Sequence, residues 1–104
     1  MRRRIVVGSK AEADLATAFD WYQERRPGLG RELLAEVEEC LQRIEANPFA
    51  YAEVHNRYRC ALLARFPFKV FYAVEADYVS VVAILHAAQH PQRWRARMQP
   101  THDE

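Results

Sequence analysis

A chain of 104 residues, half of them hydrophobic, has the apolar surface for one core and too little length for a second, so a single domain spanning 1–104 is expected. No run approaches the roughly 18 to 20 apolar residues that span a bilayer, and the basic start MRRRIVVG leads into charged residues rather than the apolar centre of a secretion signal, so a cytoplasmic protein with no membrane partner is expected. The net charge of +1 conceals a split: residues 1–54 carry eight Lys/Arg against ten Asp/Glu, whereas His55 to Gln99 carry seven basic residues against two acidic ones, which is where an anionic partner is steered.

The β-branched run Ile5-Val6-Val7, closed by Gly8-Ser9, predicts a first strand over Arg2–Gly8. Ser9-Lys10-Ala11-Glu12 has the S-x-x-E form of a capping box, so a helix is expected to start there, with Leu15, Ala18, Phe19 and Tyr22 as its apolar stripe and Glu12, Asp14, Asp20 and Glu24 facing water. Pro27-Gly28 stops it near Arg26. From Leu29 a second stripe of Leu33, Leu34, Val37, Leu41 and Ile44 runs to Asn47-Pro48, with Glu32, Glu36, Glu38, Glu39 and Glu45 around it. Two helices joined this closely form a hairpin.

Beyond Tyr58 the period changes to that of strands. Tyr58–Ala64, Phe68–Glu75 and Tyr78–His86 are strand-length runs, the last two joined by Ala76-Asp77. Phe68, Val70, Tyr72 and Val74 fall on one face; in the last run Val79, Val81, Ala83 and Leu85 form one row and Val82 and Ile84 the other, so this strand is expected to be interior and covered on both sides. Pro91 to Met98 reads as a short basic helix or turn, and about 100–104 as a frayed tail. The fold class is therefore α+β: an N-terminal strand and a helix hairpin packed on a mostly antiparallel sheet of about four strands, with a short basic element at the end.

The chemistry-bearing residues lie in the second half. His86 and His90 have the spacing of two metal ligands, but the segment straddles a strand end and a proline, has no Glu between the histidines and offers no third ligand, so no metal is expected. His86 alone suits proton transfer, because imidazole exchanges protons near neutral pH and a strand end is open. Arg57, Arg59, Arg65 and Lys69 sit on adjoining strands; a hairpin between Ala64 and Phe68 is expected to gather several of them at one edge, for phosphate or for a partner's carboxylates, unless they only guard that edge. Arg93-Trp94-Arg95-Ala96-Arg97 has the composition of an interface hot spot, while Trp94 can also fold back onto the core. Trp21-Tyr22 reads mainly as core. Cys40 and Cys60 read as reduced packing residues, and with three glycines and no phosphate cradle or Ser/His/Asp set, no cofactor is expected.

Taken in order, Ala13-Asp14-Leu15 leading to Trp21-Tyr22, Leu29-Gly30, Val37-Glu38, Leu41, Ile44, Asn47-Pro48, Tyr51, the run Arg65-Phe66-Pro67-Phe68-Lys69-Val70-Phe71-Tyr72 and the close from His86 to Pro91-x-x-Trp94 resemble the RelE/ParE toxin superfamily of bacterial type II toxin–antitoxin modules, over nearly the whole chain. The resemblance implies a growth-inhibiting toxin neutralised in a hetero-oligomer by a cognate antitoxin whose flexible segment wraps it. It also implies one of two targets: the ribosome and its mRNA, cleaved by a ribosome-dependent endoribonuclease, or DNA gyrase, poisoned by binding. The cleaving branch carries basic residues around the sheet. Here Lys69 keeps a middle-strand cation and His86 or His90 stands in for a general base, but Ala61-Leu62-Leu63-Ala64 lies near the expected lysines, Ala87-Ala88-Gln89 replaces an arginine-bearing stretch, and the C-terminal tyrosine is missing. These departures favour a ParE-like binder of gyrase, with Arg57, Arg59, Arg65, His90, Arg93, Trp94, Arg95 and Arg97 as partner or nucleic-acid contacts; a remnant that only binds its antitoxin is the third alternative.

Overall fold

The computed structural model describes residues 3–98, so the tail expected at about 100–104 lies outside the described residues. The elements are β1 (Arg4–Val7), α1 (Ser9–Arg25), α2 (Leu29–Ala46), β2 (Glu53–His55), β3 (Tyr58–Leu62), β4 (Phe68–Val74), β5 (Tyr78–His86) and α3 (Pro91–Arg97). They form one sheet in the order β1-β5-β4-β3-β2, antiparallel except where β1 lies parallel to β5. The expected α+β architecture is present, but the sheet has five strands rather than about four. The added edge strand, β2, is three residues long and turns into β3 through Asn56, whose φ of 54° is the left-handed conformation that asparagine tolerates.

α1 begins differently from the capping-box expectation. Gly8 still belongs to the sheet, its N–H donating to Val81 O at 2.9 Å, so the chain turns into the helix at Gly8 and Ser9 is already helical, with no side-chain cap. At the other end Gly28 takes φ 94°, which an L side chain resists, and the Gln23 side-chain oxygen accepts from Gly28 N and Gly30 N at 3.2 and 2.9 Å, supplying the cap of α2. Gly30 is there for closeness: a Cβ would stand 2.8 Å from Phe19 O, so any side chain would prise the two helices apart.

The helix hairpin covers one face of the sheet. Leu33, Val37, Cys40 and Ile44 of α2 and Ala11 and Ala18 of α1 meet Val70 and Tyr72 of β4 and Val79, Val81 and Ile84 of β5 in the main core. Each large aliphatic or aromatic side chain buried here contributes about 1.5 to 3 kcal/mol. Tyr72 is wholly buried and donates its hydroxyl to Pro48 O at 2.6 Å; burial pushes this phenol up to about 12, against the opposing pull of Arg59. Leu34 does not join its stripe and is exposed, whereas Glu36, expected in water, is 6% exposed. Its Oε2 accepts the Arg65 N–H at 2.8 Å, while Arg65 Nε stands 3.9 Å from Oε1, too far for a hydrogen bond, which leaves that buried oxygen without a partner.

The opposite face carries a smaller cluster of Phe71, Ala83, Leu85 and Met98, covered by Trp94 of α3. It exists because β5 bulges. Phe71 pairs with Ala83 but Tyr72 with Val81, leaving Val82 as an extra residue, after which the alternation of faces reverses. The single row expected from Val79 to Leu85 is therefore split: Val79 and Val81 join Ile84 under the helices, and Ala83 and Leu85 join Val82 on the far side.

Candidate functional site

β1 ends opposite Val81, so beyond the bulge the edge of β5 that β1 would cover has backbone groups without a strand partner. Two side chains supply partners. Asp14 Oδ2, from α1, accepts from Ile84 N at 3.0 Å, and Arg97, from α3, donates to Val82 O at 3.1 Å. The two side chains also pair with each other, through contacts of 2.8 and 3.2 Å to the two carboxylate oxygens. This forked ion pair is largely withdrawn from solvent, with side-chain exposures of 13% for Asp14 and 23% for Arg97. Asp14, expected to face water, is thus the joint between α1, β5 and α3.

Beside this joint lies an open cleft of about 410 Å³ between α1, the end of β5 and α3. Its floor is apolar, made by Ala18, Tyr22, Phe68 and Ile84, and its rim is polar, with Thr17, His86, Gln89 and Arg93. The His86 ring stands edge-on to Phe68 at 5.3 Å and its Nδ1 accepts from Ala88 N at 3.0 Å, which leaves Nε2 for a ligand. One side-chain amide atom of Gln89, the oxygen as placed, is buried without a hydrogen-bond partner. Trp21, expected in the core, is half-exposed at the cleft mouth with the Arg25 guanidinium 3.4 Å above its ring.

The remaining predicted residues do not converge. Lys69 pairs in register with Leu62 and Leu85 and so points to the face opposite the helices, whereas His86 shares the helix side with Phe68. Arg57, Arg59 and Arg65 do not gather at one edge, contrary to expectation. Arg57 binds Glu75 at 2.8 Å at one end of the sheet; Arg59 lies on the Tyr72 side and donates to Tyr51 O at 2.6 Å; Arg65 sits at the other end near Glu32 and Glu36. They are separated because Arg57 lies in the β2–β3 turn, Arg59 within β3 and Arg65 in the β3–β4 connection at the far end of that strand. His90 is an N-cap, its Nδ1 accepting from Gln92 N at 3.1 Å, and among the described residues no three His, Cys, Asp or Glu side chains gather as metal ligands. Trp94 folds back, stacking on Phe71 with centroids 5.2 Å apart; Arg95 remains exposed over its ring and Arg97 is held by Asp14. Cys60 adjoins this second cluster, where burial pushes its thiol up to about 11 despite Lys69.

Of the residues singled out in the sequence, the cleft unites His86, Arg93 and Arg97. Thr17, Trp21 and Gln89 were missed, since nothing in local spacing ties a helix rim to a segment some 70 positions later; the one available signal was Trp21 itself, a large aromatic flanked by charge.

The sequence profile described as the ParE toxin of type II toxin-antitoxin system, parDE, matches residues 5–91. Toxin ParE2 of Mycobacterium tuberculosis, in strains CDC 1551 / Oshkosh and ATCC 25618 / H37Rv, is 28% identical over 99 residues, covering 94% of this chain and 94% of its own length. In fold the chain is similar to a solved structure, the chromosomal ParDE TA system from P. aeruginosa, with a TM-score of 0.71 at 24% identity over 81% of this chain and 95% of that one. A helix hairpin on a five-stranded sheet with this sequence signature is a toxin of the RelE/ParE superfamily. Within it, the chain belongs to the ParE toxin family of type II toxin–antitoxin systems.

Proposed function

We propose that this toxin acts in the cytoplasm by binding DNA gyrase, and that a cognate antitoxin neutralises it by forming a hetero-oligomer. The observation that supports binding over mRNA cleavage is the placement of Lys69 and His86 on opposite faces of the sheet. Cleavage through the 2′-oxygen needs a base, a cation for the phosphorane and an acid around one phosphorus atom, each commonly worth roughly 10²- to 10³-fold. A sheet between the imidazole and the ammonium keeps them from one phosphate. Of the other arginines, Arg57 is engaged with Glu75, Arg59 with Tyr51 and Glu53, and Arg97 with Asp14; Arg93 shares the cleft with His86, but the carboxylate there, Asp14, is held by Arg97 and so does not complete an acid–base set. What is left is a surface of apolar cleft and guanidinium rim, which suits recognition of protein.

The name of the ParDE system with which the fold is shared supports an antitoxin partner. The test is to add the purified chain to gyrase and supercoiled DNA, and to induce it in cells without antitoxin. Gyrase-linked DNA breaks together with a DNA-damage response are expected. Cleavage of mRNA in a translating extract, with gyrase unaffected, overturns the proposal.

A further inference from the structure

Phe49, in the connection between α2 and β2, is 55% exposed, yet the backbone on either side of it is fastened. Asn47 to Ala50 make a tight turn in which Ala50 N donates to Asn47 O at 3.1 Å, with Pro48 at the position whose φ proline presets. The carbonyl before Phe49, Pro48 O, accepts the hydroxyl of the buried Tyr72 at 2.6 Å, and Tyr51 O, two residues after it, accepts from Arg59 at 2.6 Å. Two guanidinium groups stand by the ring, Arg59 at 5.2 Å and Arg3 at 5.4 Å from its centroid, within cation–π range. Both are placed by other bonds, Arg59 by Tyr51 O and Arg3 through Nε to Glu75 O at 2.8 Å. Fixing a phenyl that stays in water adds little to the fold. It favours association, because the cost of ordering the turn is met before a partner arrives.

Shape and charge define the partner. Ala50 and Ala52, both exposed, are too small to wall the ring in, so it protrudes and the partner must supply the concavity. A flexible wrapping segment has no pocket of its own; a folded protein does. Arg3 is bound to a carbonyl rather than a carboxylate, which leaves its charge for an acid. Nucleic acid fits less well, since Arg57 and Arg59 at this end are drawn onto Glu75 and Glu53 and leave no track of cations for a phosphate backbone. We infer that the turn Asn47–Tyr51 is the knob by which this toxin engages gyrase: Phe49 inserts into an apolar pocket of the folded target, and an Asp or Glu at the lip of that pocket pairs with Arg3. This rests on the gyrase reading above and names the surface that carries it. The ring supplies affinity by leaving water, and the cation selects an acidic lip. The knob is separate from the cleft, because Arg3 and Glu75 stand at the Tyr78 end of β5 and the cleft opens at its His86 end.

The experiment measures the dissociation constant of the full chain for purified gyrase, and gyrase-linked breaks in supercoiled DNA, for Phe49→Ser, Arg3→Glu and a control, Leu62→Ser. Leu62 is 59% exposed, on the opposite face at the other end of β3, and so reports whether any exposed apolar side chain would serve. Phe49 and Leu62 are exposed and Arg3 is partly so, and each variant is expected to unfold cooperatively near the wild-type midpoint, followed by circular dichroism. Phe49→Ser is expected to raise the dissociation constant about 30-fold, the loss typical of a central interface anchor. Arg3→Glu is expected to raise it about 10-fold by setting like charges together, and Leu62→Ser to stay within about twofold; DNA breaks fall in the same order. Wild-type affinity in either Phe49→Ser or Arg3→Glu overturns this inference while leaving gyrase poisoning intact. A loss in Leu62→Ser equal to that in Phe49→Ser also overturns it. So does a parallel loss, in Phe49→Ser, of affinity for the antitoxin purified from the adjoining reading frame or for duplex DNA without gyrase. A wild-type chain that binds no gyrase overturns both this inference and the reading on which it rests.

Discussion

The two faces of the sheet are closed in different ways. On one side, two helices of 17 and 18 residues lay fully buried side chains over β4 and β5. On the other, a seven-residue helix with no buried residue of its own covers four, by laying Trp94 on Phe71 and by polar ties: Arg97 to Asp14 and Asn56 Nδ2 to Met98 O at 3.2 Å. The difference teaches where the stability of the fold is concentrated. The helix-hairpin side holds the fold by area; the α3 side is held by a few directional contacts and is the part that opens at least cost.

The comparison is broken most directly from the large side. Leu33→Ala, at a position of 0% exposure, is expected to cost about 3 to 4 kcal/mol, read from the urea midpoint at unchanged slope. A loss below about 1 kcal/mol would mean that α2 is not the main lid. Tyr72 gives the same side a pH signature. The folded phenol holds its proton up to about 12 against an ordinary value of 10.0, so its contribution is intact below pH 10 and lost as the pH rises through 12. About 2 to 3 kcal/mol is expected to disappear over that window. Tyr72→Phe should flatten this alkaline limb, at a cost near neutrality of about 1 kcal/mol for the bond to Pro48. On the other side the expected effect is smaller than that of Leu33→Ala. Asp14→Ala strands Arg97 and the Ile84 N–H, for an expected loss of about 2 kcal/mol, less than for a fully buried pair because both side chains keep some exposure. Hydrogen exchange should then quicken in α3 and around Phe71 with α2 unaffected; loosening of both faces alike would erase the distinction between them.

Much of this was legible in the residues. The run Tyr78–His86 is β5 to the residue, α2 runs from Leu29 to Ala46 just before Asn47-Pro48, and Pro27-Gly28 breaks the helices as glycine's left-handed turn demands. What escaped has a common cause. The bulge at Val82 leaves no mark because both rows of β5 are apolar, so a shift of one residue swaps one hydrophobic face for another. β2 is too short to show a period. Asp14 and Glu36 look like solvated helix charges until the strand turn and α3 arrive with their N–H groups, and Trp21 looks like core until α2 is seen to pack elsewhere. Of the cleft, His86 and the Arg93-Trp94 segment were visible as chemistry, but the wall supplied by Thr17 and Trp21 arises only from the fold.

The ion pair between residues 14 and 97 bears on when the cleft takes shape. While the chain emerges from the ribosome, the hairpin and most of the sheet have their sequence in hand, yet one wall of the cleft is still inside the exit tunnel. The cleft wall is therefore completed only once Arg97 has emerged, so a chain released short of that residue lacks the joint.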